Sequence, residues 1–215
     1  MAKYYTPDEV RLHNCVDDLW VSVFDNVFNL TPLVSVNRGP LANPLIEAAG
    51  SSISHWFNAK TGDVKTHMDP VRQIIMPYTP YGRFIDVPPP DPRDNTPSVE
   101  TPWWKDSKYI IGKLTRQTRM IKVVNMVTRG EDVITVCAEE TIADIRERYV
   151  EYNAHSLSYA WKSVIKDEFV VLDMGKTLEE NGILDESDKF VDLGMDYDFY
   201  VPTINIYFTD DLTEL

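Results

Sequence analysis

Prolines stand at positions 77, 80, 88, 89, 90, 92, 97 and 102, and this run constrains the fold more than any other feature of the chain. Each proline fixes φ, removes a backbone donor and biases its predecessor away from the helix. Residues 77–104 are therefore expected to hold no long helix and no paired strand, and to run as an extended arm. Trp103 and Trp104 close the stretch. So much aromatic surface is seldom left in water, which predicts that the arm docks, with self-docking favoured over docking on a partner.

Charge divides the chain at a different place. Residues 1–115 carry 11 Lys+Arg against 13 Asp+Glu, whereas residues 116–215 carry 10 against 21. A composition break near residue 115 predicts two domains, 1–115 and 116–215, in keeping with the usual domain size of about 100–150 residues. A net charge of −13 argues against nucleic acid and anionic membrane as partners, because both need a basic footprint. The sequence has no apolar run of the roughly 18–20 residues that span a bilayer, and its opening, MAKYYTPDEV, has no apolar secretory stretch. A cytoplasmic protein is expected. Cys15 and Cys137 are the only cysteines and lie too far apart in sequence for a metal knuckle, which fits a reducing compartment.

Local signals sketch the elements. Thr6, Pro7, Asp8 and Glu9 are helix-start chemistry. Trp20–Phe24 and Val27–Leu30 alternate about Asp25-Asn26 as a β-hairpin, and Thr31-Pro32 can cap a short helix. Residues 44–57 have near-helical apolar spacing, and Gly50 with the serines around it predicts a break or two short helices. Further on, 120–126 and 133–137 read as strands, Thr141 caps a helix carrying Ile142, Ile145 and Tyr149, and 158–165 and 203–208 read as strands. The class is α+β.

No Ser-His-Asp or Cys-His set has a recognisable spacing, and Gly62 and Gly82 stand alone rather than in a phosphate loop, so no enzyme is expected. His13, at a helix end, and His155, after a helix, are expected to be structural.

Lys3-Tyr-Tyr-Thr-Pro-Asp-Glu-Val, His13-Asn14, Trp20-Val and Val27-Phe-Asn-Leu-Thr31 resemble in order and spacing the opening of cytochrome b5. Ala49-Gly50 with Phe57 is similar to its pocket helix, and Tyr109–Leu114 to its closing strand, so the resemblance spans 3–114 with 77–104 as a proline-rich insertion. The second half resembles a ubiquitin-like β-grasp domain, without a Gly-Gly tail for conjugation. Together the halves resemble ciliary cytochrome b5 domain-containing proteins that carry a cordon-bleu-type ubiquitin-like domain. That resemblance implies the cytoskeleton of the cilium or flagellum, with radial spoke and other axonemal proteins as partners.

The same resemblance implies heme b between two imidazoles, since neutral imidazole is a good iron ligand. The slot of the first is Asn37 here, followed by Arg38-Gly39-Pro40, and an amide is a poor iron ligand. For the second, His67 is the first histidine after Phe57 and the leading candidate, with His55 on the preceding helix as the alternative; Met68 and Tyr78 are weaker. One strong ligand implies conditional heme binding and redox sensing. A soluble b5-type electron carrier is the competing expectation, and Asn37 counts against it.

Overall fold

A computed structural model describes residues 3–71, 73–89 and 100–208. The chain divides into two compact units, Met1–Leu114 and Thr115–Leu215.

The first unit begins with β1 (Tyr4–Tyr5) and α1 (Pro7–Leu12), the latter fixed by a capping box. The Thr6 hydroxyl accepts from the Glu9 N–H at 3.1 Å, and the Glu9 carboxylate accepts from the Thr6 N–H at 2.6 Å. β2 (Asn14–Cys15), β3 (Asp18–Val23) and β4 (Asn26–Asn29) follow, with α2 (Thr31–Val36) and α3 (Asn43–Glu47). Thr31 does not cap α2. Its hydroxyl instead accepts from the Leu19 N–H at 2.8 Å, while its own N–H donates to Asn29, so the residue ties the helix to β3. Gly50 supplies the break expected in 44–57. At φ 72° it donates to the Trp20 carbonyl at 2.7 Å, and a Cβ there would lie 2.9 Å from Asn14 Cβ.

β5 (Thr66–Met68) and β6 (Ile75–Pro77) pair as a separate two-stranded sheet. This corrects the reading of Pro77 as excluded from paired strands: it ends β6 opposite Thr66, at a terminal position where a missing donor is tolerated. Of the proline-rich stretch, Pro90, Pro92 and Pro97 lie outside the described residues. β7 (Ile110–Leu114) then enters between β1 and β4, giving the order β1-β7-β4-β3-β2 with β1 parallel to β7. The core gathers Leu19, Val21 and Phe28 from the sheet, Leu33 and Leu45 from the helices, and Trp56, Phe84 and Trp103 from the segments beyond them.

In the second unit, β8 (Thr118–Asn125) and β9 (Glu131–Cys137) precede α4 (Ile142–Tyr149), then β10 (Tyr159–Ile165), β11 (Glu168–Val171), α5 (Ser187–Asp192) and β12 (Thr203–Phe208). The sheet order is β11-β10-β12-β8-β9, with β12 parallel to β8. α4 is started by Thr141 and Asp144 in a second capping box. Its Ile142, Ile145 and Tyr149 meet Ile121, Val123, Trp161, Ile204 and Ile206 of β8, β10 and β12, strands that bury alternate residues. The C-terminal Thr213-Glu-Leu215 lies outside the described residues.

Candidate functional site

The residues at issue are the amide of Asn37, the imidazoles of His55 and His67, and the interior of the first unit. Asn37 is the C-cap residue just after α2; its side-chain amide donates to the Leu33 carbonyl at 2.9 Å, closing the helix end. His55 sits in the 3₁₀ turn Ser54–Trp56, exposed, with its ring edge-on to Trp56 at 6.0 Å. His67 lies in the middle of β5 rather than in a loop, also exposed, and its ring meets Tyr78 at 6.4 Å. Among the described residues no hydrogen bond or ring contact joins the two imidazoles to each other or to Asn37. Met68 is 56% exposed.

The interior is filled by aromatic rings. Trp56 and Phe84 are wholly buried, and Phe57 and Trp103 are each 1% exposed. Ring centroids stand 5.1 Å apart for Trp56–Phe84, 6.0 Å for Phe57–Trp103 and 6.3 Å for Phe84–Trp103. Trp103 is thus part of the unit's own core, as self-docking requires. Asp86 Oδ2 accepts from the Trp103 N–H at 2.8 Å, pinning the far end of the arm to its near end. Beside it, the Asp63 carboxylate takes the Lys105 ammonium at 2.6 Å and the Trp104 indole N–H at 3.5 Å. Lys105 first, then Trp104, hold the Asp63 carboxyl below the usual carboxylate range. Sequence reasoning missed this clasp because its members lie about 40 residues apart.

A heme gripped by two buried imidazoles does not fit these residues. Both imidazoles lie at the surface, and the aromatic interior holds the buried indole N–H groups of Trp56 and Trp103, which have no acceptor among the described residues. An indole N–H donates and cannot ligate iron. A hollow of about 390 Å³ does open beside α2 and α3, lined by Val34, Arg38, Ala42, Asn43 and Ile46 with Asp17, but it presents no imidazole.

His13 is structural: its Nδ1 lies 2.6 Å from Asp18 Oδ2, and its ring stacks on Trp20 at 3.5 Å. Among the described residues no three His, Cys, Asp or Glu side chains form a metal cluster, and no helix is long and apolar enough to cross a membrane.

Sequence comparison supplies the class: the chain belongs to the family of cytochrome b5 domain-containing proteins. Its relatives named Cytochrome b5 domain-containing protein 1 are 48% identical in Xenopus laevis, 46% in Mus musculus and 44% in Homo sapiens. Each match covers 99% of this chain, and 97%, 92% and 92% of the relative respectively. No family model matches. Among solved structures, cytochrome b558 of Ectothiorhodospira vacuolata aligns over 53% of this chain and all of its own at 18% identity, with a TM-score of 0.29, too low to carry an argument.

Proposed function

We propose that the chain is a non-catalytic structural and regulatory subunit of the ciliary or flagellar axoneme, meeting radial spoke and other axonemal proteins. The observation that carries the non-carrier part of this reading is the first unit's interior, closed by Trp56, Phe84 and Trp103 with the histidines outside. A rapid electron carrier needs an iron centre held at both axial positions through the redox cycle. Here heme is a conditional ligand, met by exposed His67 first and His55 second, and its uptake links redox state to ciliary beating.

The second unit is read as a ubiquitin-like adaptor. Support comes from its strand order, from β12 parallel to β8, and from α4 packed across the sheet. The axonemal setting rests on the likeness of the whole chain to ciliary proteins of this two-domain type.

Heme titration of the full chain under oxidising and reducing conditions tests the cofactor part by absorption spectroscopy. The expected result is weak uptake in one redox state, diminished by His67→Ala more than by His55→Ala. A sharp six-coordinate low-spin spectrum in both states would establish the electron carrier instead. Immunofluorescence of a tagged chain in ciliated cells tests the setting, and exclusion from the axoneme refutes it.

A further inference from the structure

Between Ile183 and β12 the chain turns its apolar side chains outward. Val191, Leu193, Met195, Tyr197, Phe199 and Tyr200 are each 42% to 71% exposed, and residues 191–200 have no buried member. Apolar side chains scattered singly on a surface need no explanation, but a run concentrated in ten residues does. The segment also has a built base. Arg119, buried at the rim of β8, donates to the Ile183 carbonyl at 2.9 Å and stands 3.7 Å from Asp185, whose carboxylate also accepts from the Gln117 amide at 2.8 Å. Phe190 then packs against Phe199 at 5.5 Å and Tyr200 at 6.4 Å, folding the strip back along α5. Beside this platform lies a hollow of about 500 Å³, lined by Val164, Leu184, Glu186, Tyr200, Pro202 and Thr203 among others.

Charge decides what such a face accepts. Asp185, Glu186, Asp188, Asp192, Asp196 and Asp198 are interleaved with the apolar residues, against the single cation Lys189, which is paired with Glu186 at 2.9 Å. A second copy of the chain brings its own charge of −13 and the same acidic face, so self-association is repelled. Anionic lipid and nucleic acid are repelled for the same reason. A basic protein segment meets no such cost, and its cations steer the encounter while an apolar side chain provides the buried anchor.

We infer that the 184–202 face of the second unit docks a basic, apolar-anchored segment of a partner protein. Lysines and arginines of that segment lie along Asp192, Asp196 and Asp198, and an aromatic or aliphatic side chain enters the hollow beside Leu184 and Tyr200. The inference goes beyond the axonemal reading, since it fixes the chemistry of the partner whatever complex that partner belongs to.

Fluorescence anisotropy on the full chain tests it with three labelled peptides. One has three Lys-Leu-Arg-Phe repeats, one three Glu-Leu-Asp-Phe repeats with the same apolar content, and one three Lys-Ser-Arg-Ser repeats with the same charge. The first is expected to bind at least about tenfold more tightly than either of the others, because both charge and anchor are required. Asp196→Asn/Asp198→Asn should weaken it about fivefold and flatten its salt dependence, and Leu193→Ser/Tyr197→Ser should weaken it about tenfold with the far-UV circular dichroism unchanged. Amide shift mapping on the unsubstituted chain gives an answer even if a variant misfolds: perturbations confined to 183–205 support the face. Perturbations elsewhere, equal affinity for all three peptides, or full affinity in folded variants would each overturn the inference.

Discussion

Replacing Trp103 by Ala removes the ring at the centre of the first unit's aromatic interior. The side chain is 1% exposed and touches Phe28, Phe57, Phe84 and Trp104 with centroids 5.6 to 6.3 Å away. Its indole N–H has no acceptor among the described residues, so the substitution forfeits no side-chain hydrogen bond there, and the backbone bond to Asp86 survives. The cost is lost burial plus the cavity left behind, about 3–5 kcal/mol for a buried Trp→Ala. Such a loss is a large share of the roughly 5–15 kcal/mol that holds a typical domain folded. At about 4 °C per kcal/mol for a unit near this size, Tm should fall by roughly 12–20 °C. Urea and thermal unfolding followed by near-ultraviolet circular dichroism, which reports aromatic packing, measure it. Trp104→Ala, at a partly buried ring, serves as the milder comparison. A loss below about 1 kcal/mol for Trp103→Ala would refute the packed-interior argument, since a ring in that position cannot be removed so cheaply.

Gly112→Ala should destabilise the first unit by about 1–3 kcal/mol through overpacking. The new Cβ would stand 2.4 Å from the Lys3 carbonyl and 2.7 Å from the Tyr5 ring, so β1 must leave β7, and faster hydrogen exchange at the Lys113 amide reports it. Glu140→Ala should cost about 3–5 kcal/mol. Its buried carboxylate takes Arg148 Nε at 2.6 and 2.8 Å and the Cys137 N–H at 2.9 Å, and thermal melts measure the loss. Tyr149 donates to Asp132 at 2.7 Å; burial first, then Asp132, pushes its phenol above the ordinary value of 10.0. The fold therefore favours the neutral phenol, and the stability this contributes is present below about pH 10 and lost as the pH rises beyond it. Tyr149→Phe should cost about 1 kcal/mol at neutral pH. It should also flatten the alkaline decline, and equal slopes for variant and parent in denaturation above pH 10 would count against the assignment.

The local punctuation of this protein is written in its sequence. Thr6 with Pro7 and Glu9, and Thr141 with Asp144, each act within about four residues, so their chemistry can be read without knowing the fold. The break at Gly50 was legible for the same reason. The hairpin turn, in contrast, falls on Phe24-Asp25, one residue before the expected Asp25-Asn26, because Asn26 already pairs with Val23. What the chain does over longer distances could not be read in this way. β11 and the β5–β6 pair are short strands that exist by pairing with a neighbour, and no periodicity over three or four residues announces them. Whether Thr31 caps a helix or holds β3 depended on where Leu19 arrived. Trp103 shows the limit most plainly. Its sequence context said that an aromatic pair must be buried somewhere, but only the tertiary structure brought Phe28 and Phe57 to it across 75 and 46 residues. Burial is a property of the assembled core: apolar side chains choose the surface that removes most of their area from water, and that surface forms only when distant segments meet.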